Sequence, residues 1–243
     1  MILETPVFTI EAALKAATSG VHRLELCSGF HEGGLTPGAG AAGYVKSHVS
    51  IPVFVMIRPR GGDFVYSGDE VRVMKEEIRV CKDLGADGLV FGVLTPEGLV
   101  DKDTCSSLIE AADGLPCTFH RAFDLAADLD RSLEDIIECG FERILTSGGK
   151  PNVETGLETI KQLLHQAGNR ITIMPGGGMK PEYIKQLAET GYLKEIHASC
   201  KCRRPSESKI RKEIEGLHSD EPGVLTVDKN QVEVFLAEME NYS

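Results

Sequence analysis

The feature that most constrains this chain is a short apolar run followed by an amphipathic stretch, repeated from one end to the other. Such alternation is what βα units sharing one parallel sheet produce. The runs that read as strands are 2–4, 23–27, 53–58, 88–92, 117–120, 143–147, 171–174 and 195–199. Helical periodicity covers 10–19, 70–84, 132–139, 156–166 and 181–190, and several of these stretches close on a glycine that can end a helix in the left-handed region, as at Gly20, Gly85, Gly140 and Gly191. Eight strands with helices between them in 243 residues predict one α/β domain over 1–243, a (β/α)8 TIM barrel. The segment 201–224 breaks the pattern: it is polar, holds Pro205, Pro222 and Gly223, and precedes a last helical pattern at 230–240. It reads equally as a loop over the barrel mouth and as a disordered excursion.

Composition narrows the function. Hydrophobic residues make up 42% of the chain, ordinary for a protein with a full core. The start of the chain carries Glu4 and no basic cluster, and every apolar run falls short of the ~18 to 20 residues a membrane span needs, so neither targeting nor anchoring is expected. A net charge of -11 would repel a phosphate backbone, which argues against nucleic acid as a partner. The seven cysteines are scattered and odd in number, as expected of reduced thiols in the cytoplasm, and Cys81, Cys117 and Cys139 sit in apolar patterns where a free cysteine acts as a small hydrophobe. Homo-oligomerisation is left open.

Side chains alternate across a strand, so in a barrel one parity meets the helices and the other the axis. The apolar parity contains Leu24, Leu26, Val53, Val55, Ile57, Phe119, Leu145, Ile171, Ile173, Ile196 and Ala198. The other contains Glu4, Glu25, Cys27, Phe54, Met56, Arg58, Thr118, His120, Thr146, Thr172, Met174, His197 and Ser199. Ionisable groups therefore collect on the axis near the strand ends, the face where barrels of this kind carry their active sites. Buried charge needs partners, which here are a ligand or, alternatively, one another in a polar plug.

Four motifs refine the candidates. Arg58-Pro59-Arg60-Gly61-Gly62-Asp63 offers two guanidiniums for a carboxylate or phosphate, though either arginine could be tied to Asp63 or Glu25. His120-Arg121-Ala122-Phe123-Asp124 places an imidazole on the axis with a carboxylate four residues on, a general acid or base or else a hydrogen-bonded core histidine. Thr146-Ser147-Gly148-Gly149 and Gly176-Gly177-Gly178 follow late strands, where backbone N–H groups hold phosphate and where tight turns also select glycine. Cys27, with Cys200-Lys201-Cys202 past the last strand, offers thiolates to a soft metal, without paired Cys-x-x-Cys motifs.

The segments Glu32-Gly33-Gly34-Leu35-Thr36-Pro37, Ile57-Arg58-Pro59-Arg60-Gly61-Gly62-Asp63-Phe64, Thr118-Phe119-His120-Arg121-Ala122-Phe123-Asp124 and Leu145-Thr146-Ser147-Gly148 resemble the CutC family, and the similarity covers nearly the whole chain. The resemblance implies a cytoplasmic TIM-barrel protein assigned to copper homeostasis, with Cu(I) attributed to cysteine in some members and no settled reaction. Arg23-Leu24-Glu25-Leu26-Cys27 matches the family's second-strand segment, so Cys27 is the thiol that carries over. Where the family typically reads His-Ser-Ser, this chain has His197-Ala198-Ser199-Cys200-Lys201-Cys202, and its two further thiols do not come from the family pattern.

Two expectations follow. One is Cu(I) bound through Cys27 with help from Cys200 and Cys202. The other is an enzyme acting on a small anionic or phosphorylated metabolite. In that case Arg58, Arg60, Asp63, Arg121, Thr146, Ser147, His197 and the turn at Gly176, Gly177 and Gly178 form the binding site, and His120, with Asp124 or Glu25, moves a proton. An inert scaffold, the third reading, requires the axial charges to be paired among themselves.

Overall fold

All eight apolar runs form parallel strands in the computed structural model, which describes residues 1–208 and 223–242. The strands are β1 (Ile2–Val7), β2 (Arg23–Leu26), β3 (Val53–Met56), β4 (Gly88–Phe91), β5 (Cys117–Phe119), β6 (Arg143–Thr146), β7 (Thr172–Pro175) and β8 (Glu195–His197). Each pairs with its sequence neighbour, and β1 also pairs with β8, which gives the order β7-β6-β5-β4-β3-β2-β1-β8. The sheet curls into a nearly closed (β/α)8 barrel. Between β7 and β8 no ladder forms; the two approach through Gly176, where a Cβ would fall 2.5 Å from Leu145 Cδ1 and 2.9 Å from His197 Cβ.

The helices α1 (Ile10–Thr18), α2 (Ala39–His48), α3 (Gly68–Asp83), α4 (Lys102–Ala112), α5 (Leu129–Cys139), α6 (Val153–Ala167), α7 (Ile184–Ala188) and α8 (Lys229–Glu240) surround the sheet. Side-chain caps fix where several begin: Thr9, Asp101, Asp128 and Asn152 each accept a backbone N–H of the first turn, and Ser67 with Glu70 forms a reciprocal capping box. Each cap is worth about 1 kcal/mol. Leu24, Leu26, Val53, Val55, Ile57, Phe119, Ile171, Ile173, Ile196 and Ala198 all lie in the apolar layer between strands and helices, as the alternation predicts.

Strand β6 reverses its expected parity. Its register sets Arg143 beside Thr118 and Ile144 beside Phe119, so Ile144 meets the helices, Leu145 turns to the axis and Thr146 turns outward. Ile144 and Leu145 are both apolar, so alternation alone could not choose between them.

The break at 201–224 is also corrected in part. Its ends form a two-stranded antiparallel ribbon, β9 (Lys201–Arg204) with β10 (Val224–Val227). The ribbon is held to α1 by Thr9 Oγ1 donating to the Leu225 carbonyl at 3.2 Å and by an Arg204–Glu11 ion pair at 2.7 Å. The stretch 209–222, and with it the question of a loop over the mouth, lies outside the described residues.

Helix α6 docks on the turn after β6 through Gly156, where a Cβ would meet the Ser147 carbonyl oxygen at 1.8 Å. Gly156→Ala is expected to destabilise the fold by about 1–3 kcal/mol through this overlap, although alanine is the better helix former by ~1 kcal/mol. Urea unfolding of both proteins measures it, and a variant as stable as the parent would contradict the close docking.

Candidate functional site

The barrel interior has two levels with different electrostatics. At the lower level Arg23 bridges two carboxylates, donating from Nε to Glu4 at 2.5 Å and from an Nη to Glu195. Arg143 approaches Glu195 from the other side, with Nε at 3.4 Å. Both guanidiniums lie over the Phe54 ring, at 4.6 and 4.9 Å from its centroid, and that ring fills the space a side chain at Gly88 would need. Glu4 also faces His197, whose Nδ1 lies 2.8 Å from Oε1. This level is the polar plug that the alternation allowed.

Above it opens a cleft of about 260 Å³, lined by Glu25, Arg58, His120, Arg121, Gly177, Gly178, His197 and Ser199 among apolar walls from Phe8, Met56, Phe64, Leu145 and Met179. Arg58 is buried and donates to three backbone carbonyls, those of Glu32 at 2.5 Å, Gly34 at 3.0 Å and Gly62 at 3.0 Å. Among the described residues no carboxylate pairs with it, and its Nε has no partner. Its guanidinium stacks on Phe64.

His120 accepts the Ala122 N–H on Nδ1 at 3.2 Å, so its ring proton sits on Nε2, a buried donor with no partner. Burial, reinforced by the charge of Arg58, pulls its pKa down to about 3. At neutral pH His120 is therefore an uncharged hydrogen-bond donor rather than a base.

Glu25 is the counterpart. Burial pushes its carboxyl up to about 7, with Glu4 adding to the rise and His197 opposing it. Its Oε2 lies 3.8 Å from His197 Nε2 and 3.6 Å from Cys27 Sγ, while Oε1 has no partner. Glu4 goes the other way. Burial raises it, but Arg23 and His197 together outweigh that and hold it at about 2. His197 itself is raised, because Glu25 and Glu4 overcome its burial.

Several other candidates take supporting places. Arg60 turns away from the cleft to Glu70 at 2.6 Å, Asp63 at 3.0 Å and the Val65 carbonyl at 2.7 Å, so neither Arg60 nor Asp63 reaches it. Asp124 does not pair with His120. A 3₁₀ turn over Arg121–Leu125 carries its carboxylate to Thr146 Oγ1 at 2.6 Å, the Ser147 and Gly149 amides, and Arg121 Nε at 2.7 Å. Ser147 Oγ accepts from Arg121 at 2.6 Å, and the Arg121 guanidinium lies against Gly177, where a Cβ would be 2.8 Å from Cζ. The glycine turn leads into a 3₁₀ turn and a five-residue helix, with Gly177 and Gly178 in the cleft wall and Gly176 behind it.

The thiols do not converge. Cys27 belongs to the interior cluster with Phe54, Met56 and Val90, whereas Cys200 lies in the layer facing the helices, and Cys202 sits on β9. Burial, with Glu25 beside it, raises the Cys27 thiol well above its ordinary range, and burial pushes Cys200 up to about 12. Among the described residues the one group of three metal-ligating side chains is Glu4, Glu25 and His197, with no cysteine in it. Glu4 is already engaged by Arg23, whose charge disfavours a cation there. Arg23, Arg143 and Glu195 were not among the sequence candidates, although Arg23 and Glu195 continue by two residues the parity of Glu25 and His197.

A family model described as the CutC family matches residues 1–202. The chain belongs to the CutC family. It is 50% identical over 210 residues to the mouse copper homeostasis protein cutC homolog, covering 86% of this chain and 77% of that protein. It is 46% identical over 201 residues to a family protein CutC of Xanthomonas campestris pv. campestris, covering 83% and 84%. A CutC crystal structure from Streptococcus agalactiae superposes with a TM-score of 0.77 at 33% identity, covering 82% of this chain and 98% of that one. A deoxyribose phosphate aldolase from Aeropyrum pernix, at 14% identity and a TM-score of 0.60 over 81% and 85% of the two chains, shares the fold. No described helix of this CutC-family chain is long and apolar enough to cross a membrane.

Because Glu25 has a raised pKa, the folded state holds its proton more tightly than the unfolded chain does. Its contribution to stability is complete below the ordinary value of 4.5 and is lost as pH rises through about 7. Glu25→Gln is expected to flatten that fall, read as urea midpoints of wild type and variant between pH 5 and 8. Parallel curves would rule out the raised carboxyl.

Proposed function

We propose that this chain binds and acts on a small organic anion, carrying a carboxylate or a phosphate ester, in the cleft at the C-terminal ends of the strands. The observation that carries the reading is Arg58, a buried cation with no carboxylate partner among the described residues. Below it each guanidinium has a carboxylate: Arg23 has Glu4 and Glu195, and Arg143 has Glu142 and Glu195, whereas Arg58 has none among the described residues. Burying an unpaired charge is costly, and a bound anion offsets that cost. His120 Nε2–H, Arg121 and the turn at Gly177 and Gly178 supply further donors around the same space. The seven free thiols support a reducing, cytoplasmic setting.

Direct Cu(I) binding is the second reading. It is supported by the family and by one local feature: a Cβ at Gly34 would lie 3.4 Å from Cys27 Sγ and 3.3 Å from the Met56 methyl, so two sulfur side chains meet beneath that glycine. Two soft donors without a third make a sparse site, and the protonated Cys27 thiol would have to lose its proton to bind.

The readings separate on variants. A panel of small carboxylates and phosphate esters should raise the melting temperature of wild type. Arg58→Gln is expected to weaken that binding about ten- to a hundred-fold, the worth of a charge-assisted hydrogen bond. Arg60→Gln should change it less than about twofold. An anaerobic Cu(I) titration against a competing chelator runs alongside. Tight stoichiometric copper lost in Cys27→Ser, with no ligand in the panel stabilising the protein, would favour copper instead.

A further inference from the structure

The cleft carries groups of opposite character. Its lining combines cations and N–H donors from Arg58, Arg121 and His120 with Glu25, a carboxylate whose buried Oε1 has no partner. No lysine lines the space among the described residues, so carbonyl activation through an imine is not available there, and Cys27 lies outside the lining. What remains is a carboxylate able to take a proton and, in the same lining, an uncharged imidazole N–H able to hold an oxygen.

Resting on the anion reading above, we propose that the cleft catalyses a proton shift next to a carbonyl on a small anionic hydroxy- or oxo-compound, with Glu25 as the base and His120 Nε2–H as the donor to the carbonyl oxygen. Arg58 and Arg121 hold the anionic group. Glu25 takes the proton from the carbon beside the carbonyl. The C–H electron pair becomes a carbon–carbon double bond, and the carbonyl π pair moves onto oxygen, giving an enolate held by His120. Exchange of that proton with solvent on Glu25, and its return to the same carbon, gives isotope exchange with retention. Return to the former carbonyl carbon, with the neighbouring hydroxyl proton moving to the enolate oxygen, gives an isomer. Nothing is oxidised or reduced overall, and no co-reactant is required.

An uncharged imidazole suits this task, since it stabilises the developing oxyanion without protonating it beforehand. Glu4 and His197 act as positioning residues. Arg23 fixes the Glu4 carboxylate, Glu4 accepts from His197 Nδ1–H at 2.8 Å, and His197 Nε2 is thereby turned toward Glu25 at 3.8 Å. The groups facing Glu25 are His197 from β8, Glu4 from β1, and Arg23 and Cys27 from its own strand and its continuation.

The test uses the full chain in D2O with pyruvate and dihydroxyacetone phosphate as probes, following loss of the C–H signal by proton NMR, with binding of each probe measured separately by melting temperature. Wild type should speed exchange above the buffer rate. Glu25→Gln should lower the rate at least a hundred-fold while a stabilising probe still stabilises it, which also shows that it folds. Glu25→Asp should keep part of the rate. Probe binding without exchange, or exchange equal in Glu25→Gln, would overturn the proton shift and leave the anion site standing. Failure of both probes and the wider anion panel to bind would overturn both.

Discussion

The structure depends on one buried guanidinium. Arg23 at the start of β2 reaches Glu4 on β1 and Glu195 on β8, and Glu195 is shared with Arg143 on β6, so four strands are tied together across the barrel floor. Removing these charges from water costs several kcal/mol per ion, and their mutual attraction roughly offsets it, so the network says little about net stability. Its effect is on register. A slip of one residue in any of these strands would turn its charge out among the helices and leave the others unpaired in a low dielectric. The same contacts decide what lies above: with Glu4 held by Arg23, His197 has one orientation, and with His197 so oriented Glu25 faces a cation on one side only.

The interior therefore changes character with depth. Low in the barrel, Arg23 and Arg143 lie over Phe54 and share Glu195, so each guanidinium there has a carboxylate beside it. Higher up the pairing fails twice: at Arg58, whose donors end on backbone carbonyls, and at Glu25, which keeps an oxygen without a partner. Scaffolding would not require either. Arg58 does tie the loops after β2 and β3 together, yet an uncharged donor could make the same bonds to carbonyl oxygens without burying a full charge. Its charge also reinforces the burial that keeps His120 neutral, so the cation and the donor beside it act together.

How much of this was legible follows from where alternation is informative. In β2 and β8 polar and apolar residues alternate cleanly, β3 is apolar throughout with Arg58 as the first polar residue on its axial parity, and Glu25, Arg58 and His197 were assigned to the axis correctly. In β6 two apolar residues stand together and parity could be read only from the ladder. Arg23, Arg143 and Glu195 open their strands, where a charge looks like a solvated boundary. Arg58 and Arg60 are equivalent in sequence, and what separates them is the capping box of α3, whose Glu70 draws Arg60 outward. Asp124, four residues from His120, would face it only if the chain continued extended; the 3₁₀ turn sends it to β6 instead. The thiols looked like a set because they were counted along the chain, while the barrel wall separates Cys27 from Cys200.

The family's association with copper and the chemistry of the cleft need not describe the same event. Cu(I) selects thiolates and thioethers, which are polarizable and lose little on leaving water. The groups lining the cleft are guanidiniums, imidazoles, a carboxylate and backbone amides, which recognise hard, directional oxygen anions. Cys27 stands at the boundary, close enough to Glu25 to feel its charge and buried enough to keep its own proton. A metal drawn to that thiol would have to displace the proton and then share Glu25 with whatever occupies the cleft. Were copper and an anion both to bind at this centre, they would be coupled through a single carboxylate, and a change in one would be a change in the charge presented to the other.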